Sequence, residues 1–291
     1  MAKKKLLVMS KKLLVIKLGG SVITIKDAPA AKANLKVIKR LAKEIKAVLD
    51  QDKYKIILVH GVGSFAHGLV KKYNLHQGIK TDRQIVASDQ VKRQISRLNS
   101  IIVKHLLGAK IRAVGLIPHT FIVQSKGRLK NIDMEIINAY LNNNQIPVLF
   151  GDLVLDDKWG CSVLSGDTIV CHLAKILKAW RVIFLSDVDG IFDSDPKKNP
   201  EAKLISEVNN SNIKQVLKGL SPSGRDDVSG EMIGKISEIQ KYLKRVPVLI
   251  TNGLKADNLV QAVKAPTKAQ VGTRILLYSF IVYNQKIAQA K

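Results

Sequence analysis

Cysteine is almost absent. Only Cys161 and Cys171 occur in 291 residues, without the paired spacing of a zinc site, so neither a disulfide framework nor a cysteine-based metal centre is expected. A reducing, cytoplasmic setting is the default. Aromatic residues make up only 5% of the chain and are not interleaved with any basic block, so no specific nucleic-acid partner is expected. Long apolar runs are missing too. The longest, Ile275 to Tyr283, is broken by Ser279 and is far below the roughly 20 residues a transmembrane helix needs, so no membrane insertion is expected. The amino terminus is basic, but its apolar run stops after four residues, too few for a signal-peptide core. No Walker A sequence is present, which excludes a P-loop kinase.

Acidic residues are also scarce: 23 Asp and Glu stand against 48 Lys and Arg, a formal net charge of +25. A surface so basic attracts anions. Because Lys is scattered through the whole chain, the charge by itself favours anionic ligands in general over a nucleic acid in particular.

What is present is a regular alternation. Leu13 to Leu18 reads as a buried strand, Gly19-Gly20-Ser21 as a glycine turn, and Ala33 to Leu49 as a helix. The unit repeats, with a strand over Lys55 to His60, the turn Gly61-Val62-Gly63 and a helix over Ser64 to Tyr73. Val91, Ile95, Leu98, Ile102 and Leu106 place a long amphipathic helix over Val86 to Leu107. Strands are expected at Ala113 to Ile117 and Pro147 to Phe150, with a helix near Asp133 to Asn142 between them and a hairpin about Asp157-Lys158-Trp159-Gly160. Helix Asp167 to Leu177, strand Arg181 to Leu185, helix Gly234 to Lys244, strand Val246 to Ile250, helix Asp257 to Val263 and closing strands after Gly272 complete the pattern. The alternation predicts an α/β fold, a mainly parallel sheet with helices on both faces. Residues 1–12 read as a basic extension ahead of a single domain over 13–291.

Two glycine turns, each between a strand and a helix, bring bare backbone N–H groups to one sheet edge, which suits two phosphates. A lysine in an otherwise apolar strand is costly unless an anion meets it, which singles out Lys17; the structural alternative is a snorkelling strand-end lysine. Lys26 flanks the same turn in a more polar stretch. His67 closes the second turn at a helix start, where a ring N–H can donate to an anionic acceptor, whereas His60, at a strand end, reads as structural. Gly61-Val62-Gly63-Ser64-Phe65-Ala66 also satisfies the dinucleotide-binding pattern, but the acid expected about 20 residues later is not at the end of a strand. Carboxylates follow at Gly151-Asp152, Ser165-Gly166-Asp167 and Ser186-Asp187-Val188-Asp189-Gly190, placed to orient ammonium groups or help hold magnesium. Asp167 is in addition an N-cap candidate. Asp226 to Lys235 forms another polar glycine turn running into a helix.

As a set, Lys17-Leu18-Gly19-Gly20-Ser21 through Lys26, His60 to His67, and Val271-Gly272-Thr273-Arg274-Ile275 resemble the amino-acid-kinase superfamily, and within it the isopentenyl phosphate kinases. The resemblance implies a three-layer αβα sandwich with a central mainly parallel sheet, ATP and Mg²⁺ as cofactors, a homodimer, and phosphorylation of isopentenyl phosphate. It divides the domain into an acceptor lobe over about 13–165 and a nucleotide lobe over about 166–291. By position it implies that Lys17 and Lys26 meet the transferring phosphoryl and Asp167 orients the lysines. Gly19, Gly20, Ser21, Gly63, Asp187, Glu231 and Lys235 would border ATP, while Val62, Ala66, His67 and Gly166 would border the acceptor. The long helix from Val86 would wall the apolar pocket. Three residues depart from the pattern: Val62 and Ala66 stand where the family usually has glycine, and Glu231 replaces a glycine beside the nucleotide. A kinase for another small anionic acceptor (a phosphonate, a nucleoside monophosphate or an amino-acid carboxylate) and a noncatalytic binding protein on the same fold are the alternatives.

Overall fold

The computed structural model describes residues 11–26, 28, 30–196, 199–220, 228–264 and 271–278, residues 228–230 through their backbone alone. The basic extension up to residue 10 and the turn at Asp226-Asp227 lie outside the described residues.

The described strands are β1 (Lys12–Leu18), β2 (Tyr54–His60), β3 (Ala113–Gly115), β4 (Ile122–Ser125), β5 (Arg128–Ile132), β6 (Ile146–Phe150), β7 (Asp152–Asp156), β8 (Gly160–Leu164), β9 (Arg181–Ser186), β10 (Ile191–Phe192), β11 (Leu204–Ile205), β12 (Glu207–Val208), β13 (Val248–Asn252) and β14 (Thr273–Ile275). The helices are α1 (Gly20–Ile23), α2 (Leu35–Leu49), α3 (His67–Lys72), α4 (Asp82–Gly108), α5 (Met134–Asn142), α6 (Gly166–Ile176), α7 (Ile213–Gly219), α8 (Val228–Tyr242) and α9 (Asn258–Lys264). Eight strands form one sheet in the order β12-β14-β13-β9-β1-β2-β6-β3. From β13 to β3 every pair is parallel, and only β14 runs against β13.

Strands covered on both faces read as continuous apolar runs, and β6 and β9 are buried along nearly their whole length. Alternate residues feed two cores. Leu14, Ile16, Leu58 and Ile183 meet the α2, α4 and α9 side, where Ile38, Leu41 and Ile45 form the buried stripe of α2. Val15, Val59, Val182 and Phe184 meet the opposite layer, with Ile169 and Leu173 of α6 and Ile236 and Ile239 of α8. Lys17 has the parity of Val15 and is in register with Val59 and Phe184. Its side chain is thereby committed to the layer of α6 and α8. The three-layer arrangement is the one expected.

Two features depart from the sequence reading. A second, four-stranded sheet of order β5-β4-β7-β8 extends beyond β6; the hairpin about Asp157 to Gly160 was expected, its partner hairpin β4/β5 was not. That hairpin turns at Lys126 (φ 48°) and Gly127 (φ 70°), and lysine is a weak signal for such a turn. Its conformation is fixed by Asp156, whose carboxylate accepts from the backbone N–H of both residues. The second departure concerns Asp167. Ser165, not Asp167, caps α6, its hydroxyl accepting from Asp167 N and Thr168 N at 3.1 and 3.2 Å, which leaves the Asp167 carboxylate available elsewhere.

Candidate active site

A row of glycines borders the C-terminal edge of the parallel sheet. Gly19 N donates to Leu185 O, Gly61 N to Leu18 O, Gly151 N to His60 O and Gly253 N to Ser186 O, at 2.8 to 3.1 Å. Each strand end is thus stitched to its neighbour, and between β1 and β2 the chain folds backbone on backbone. A Cβ on Gly20 would stand 2.6 Å from Gly63 N, and one on Gly61 would stand 2.5 Å from Gly20 N. Gly63 adopts φ +47°, where a Cβ would also lie 2.1 Å from Thr24 Oγ1. Glycine here is the condition for two phosphate-sized turns to touch. Val62 sits at φ −95°, an ordinary value for a branched residue, and packs with the apolar cluster of Ala66, Val91, Phe150 and Leu153.

Behind the turns lies a charged triad. Lys17 Nζ donates to Asp167 Oδ1 at 2.6 Å and Lys235 Nζ to the same oxygen at 3.0 Å. The three side chains are only 11 to 15% exposed. Gly166 makes room for the approach, because a Cβ there would lie 3.3 Å from Lys17 Cε. Burial lowers the pKa of Lys17, Asp167 opposes that shift and Lys235 adds to it. Burial alone would raise the Asp167 carboxyl, but the two ammonium groups outweigh it and hold it at about 2. Two cations on one carboxylate give this largely buried triad a net positive charge, which favours an anion beside it. Lys235 also lies 5.0 Å from the centroid of Phe184, a contact that sequence reading missed although Phe184 is the register partner of Lys17.

On the first turn, Ser21 Oγ donates to Asp187 Oδ1 at 3.1 Å. Glu231, exposed in the first turn of α8, is close enough for its charge to raise the Lys17 pKa. Lys26 stands in an exposed turn beyond α1, and His67, also exposed, opens α3 with buried Ala66 before it. The structure therefore brings Lys17, Asp167, Lys235 and Gly166 into contact and sets Gly19, Gly20, Ser21, Gly63 and Asp187 along the same edge. His60 is structural, as expected: it is fully buried, stacked on Phe150, and its Nδ1 lies 2.9 Å from Gly61 O. Asp152 does not join the lysines. Its carboxylate accepts from His119 Nδ1 at 2.7 Å and from the backbone N–H of His119 and Leu153. Asp189 is likewise held elsewhere, by Asn252 and Lys255.

Among the described residues no group of three or more His, Cys, Asp or Glu could hold a metal ion.

Residues 12–252 match the pattern of the Amino acid kinase family. The chain belongs to that family. Among curated proteins, this kinase is 36% identical over 257 residues to the isopentenyl phosphate kinase of Methanocaldococcus jannaschii, covering 86% of this chain and 94% of the relative. It is 34% identical over 233 residues to that of Methanothermobacter thermautotrophicus, covering 78% and 85%. A solved structure of an isopentenyl phosphate kinase superposes with a TM-score of 0.77 at 30% identity, over 90% of this chain and all of that one. The kinase also resembles the glutamate 5-kinase of Streptococcus pneumoniae at 25% identity, over 87% of this chain and 66% of the relative.

Proposed function

We propose that this kinase transfers the γ-phosphoryl group of ATP to isopentenyl phosphate, giving isopentenyl diphosphate. The observation that carries the reading is the shared Asp167 oxygen: it pairs Lys235 with Lys17, which lies two residues before the first of two touching glycine turns, and both lysines are largely buried. The acceptor side is supported by His67 beside an apolar cluster. There α4 packs Ala87, Val91 and Ile95 against Phe150, Leu153 and Cys161, an apolar wall that would suit an acceptor whose phosphate head carries an apolar tail. The likeness to isopentenyl phosphate kinases supports the same acceptor.

A phosphate monoester is already an anion, so no general base is needed to make the nucleophile. The barrier is repulsion between anions. Lys17, Lys26, Lys235 and the backbone N–H groups of the turns neutralise charge on the transferring group, and His67 fixes the acceptor oxygen in line. Gly63, Asp187 and Glu231 border the nucleotide, while Val62, Ala66 and Gly166 border the acceptor. Mg²⁺, bound through the nucleotide, adds charge neutralisation when present. We place the acceptor lobe at about 13–165 and the nucleotide lobe at about 166–291, in a cytoplasmic homodimer. The edge strand β3 and the exposed Leu107 and Ile117 beside it offer a face for the second copy. A different small anionic acceptor is the second reading, favoured by Val62, a branched residue where the resemblance has glycine.

The test is a panel of acceptors with ATP and Mg²⁺: isopentenyl phosphate, dimethylallyl phosphate, a nucleoside monophosphate, fosfomycin and N-acetylglutamate. The reading expects the highest kcat/KM with isopentenyl phosphate; a higher value with an acceptor lacking the apolar tail sinks it.

A further inference from the structure

The two glycine turns touch, and Gly61 N–Leu18 O joins them at 2.8 Å where they leave β1 and β2, but beyond that point bare glycine supplies no side chain to lock their relative position. One hydroxyl does. Thr24 ends α1 with its backbone N–H donating to Gly20 O at 3.0 Å, and its side-chain Oγ1 donates to the same carbonyl at 2.8 Å. The Oγ1 oxygen in turn accepts from Ser64 N at 3.2 Å. Gly20 belongs to the first turn and Ser64 to the second. Beyond the strand ends, a single buried oxygen, on a residue 4% exposed, therefore joins Gly20 of the first turn to Ser64 of the second. The geometry leaves no slack: any side chain on Gly63 would collide with this oxygen and with Gly20 O. The residue is also anchored from outside the turns, since Thr24 bridges Ala33 and the flanking Ile25 N and Asn34 N donate to Lys32 O and Ile23 O.

We infer that Thr24 is a positioning residue for phosphoryl transfer, its hydroxyl setting the separation of the turn that carries the donor phosphates from the turn that carries the acceptor phosphate. In-line transfer requires the acceptor oxygen and the γ-phosphorus about 3 to 3.5 Å apart, and displacement by about 1 Å costs on the order of 100-fold in rate. On the assignments above, the first turn borders the nucleotide, and the second borders the acceptor through Val62 and the nucleotide through Gly63, so loosening the link should spoil the alignment of the two phosphates more than it weakens the binding of either ligand alone. Thr24 also begins the stretch leading to Lys26, so the same hydroxyl fixes where that lysine sets out. The inference rests on the reading of the two turns as donor and acceptor sites.

The experiment compares wild type with Thr24→Val, which keeps the shape and removes the hydroxyl, and Thr24→Ser, which keeps the hydroxyl and removes the methyl. For each, kcat is measured with ATP and isopentenyl phosphate, the Kd of each ligand alone by calorimetry, and Tm in the absence of ligand. The expected result is a kcat for Thr24→Val lower by about 30- to 100-fold, with each single-ligand Kd within about threefold of wild type, and recovery to within about threefold in Thr24→Ser. A Thr24→Val kcat within about threefold of wild type overturns the inference. So does a loss of both Kd values in proportion to kcat, or a Thr24→Ser variant as slow as the valine. If Thr24→Val does not fold, Thr24→Ala takes its place with the same criteria. A wild type that binds ATP yet phosphorylates none of the acceptors is a failure of the function itself, distinct from any of these outcomes.

Discussion

Lys17 and Asp167, 150 residues apart in sequence, meet at 2.6 Å at the centre of the site, and the same carboxylate oxygen also receives Lys235. The contact follows from strand parity. Lys17 alternates onto the face covered by α6 and α8, and Ser165 caps α6 so that the Asp167 side chain is left to face the lysines.

Removing the charge at Asp167 should therefore cost both stability and rate. Asp167→Asn leaves two largely buried ammonium groups facing each other without a counter-ion, and breaking a buried ion pair on one side costs about 3 kcal/mol. Urea unfolding should show that loss, and kcat should fall by about 100-fold because neither lysine is held on the transferring group. A variant as stable and as fast as wild type contradicts the triad.

Acid should reveal the same carboxylate. Its folded pKa, about 2, lies below its ordinary value, so its contribution to stability is fully present above about pH 4 and is lost as pH falls toward 2. The contribution is on the order of 2 kcal/mol. Urea midpoints measured from pH 5 to pH 2 should fall more steeply for wild type than for Asp167→Asn; parallel curves contradict the assignment.

Lys17 shifts the opposite way in its consequence. Burial lowers its pKa, so the charged lysine costs stability in the empty protein, and that cost is relieved as pH rises past the lowered value toward 10.5. Nucleotide phosphates should raise the pKa again. ATP binding in alkaline buffer is thus expected to take up protons at Lys17, read as a dependence of the binding heat on buffer ionisation enthalpy, and Lys17→Arg should abolish the uptake.

How much of this could be read beforehand follows from the kind of signal each residue carries. Lys17 was legible because a lysine inside an apolar strand is an anomaly, and the turns were legible because glycines after two strands are what close backbone approach demands. In the sequence Asp167 reads both as a carboxylate placed to orient lysines and as a helix cap, since Ser165 and Asp167 are both plausible caps and only geometry shows which oxygen meets the backbone. Thr24 carries no anomaly: a threonine after a short helix looks like any other, and its role exists only where two turns distant in sequence touch. The β4/β5 hairpin escaped because its turn uses Lys126-Gly127 and takes its support from Asp156, a residue 30 positions away from Lys126.

The glycine contacts offer a direct mutational check. Gly20→Ala puts a Cβ 2.6 Å from Gly63 N and 2.9 Å from Gly63 Cα, against backbone that cannot swing aside, so the turns must separate. Turnover should drop by at least about 100-fold, whereas Gly68→Ala, at a glycine with open space around its Cβ direction, should retain near-normal rates. Equal effects of the two substitutions would remove the reason given for the glycines.

Phosphorus NMR of a reaction containing the purified protein, ATP, Mg²⁺ and isopentenyl phosphate, run beside Lys17→Ala and His67→Ala, tests the central claim most directly. The account predicts a diphosphate product that grows as ATP is consumed with wild type, no turnover with Lys17→Ala, and with His67→Ala slower turnover and a raised acceptor KM. ATP consumed without a diphosphate product, or Lys17→Ala turning over at the wild-type rate, would contradict it.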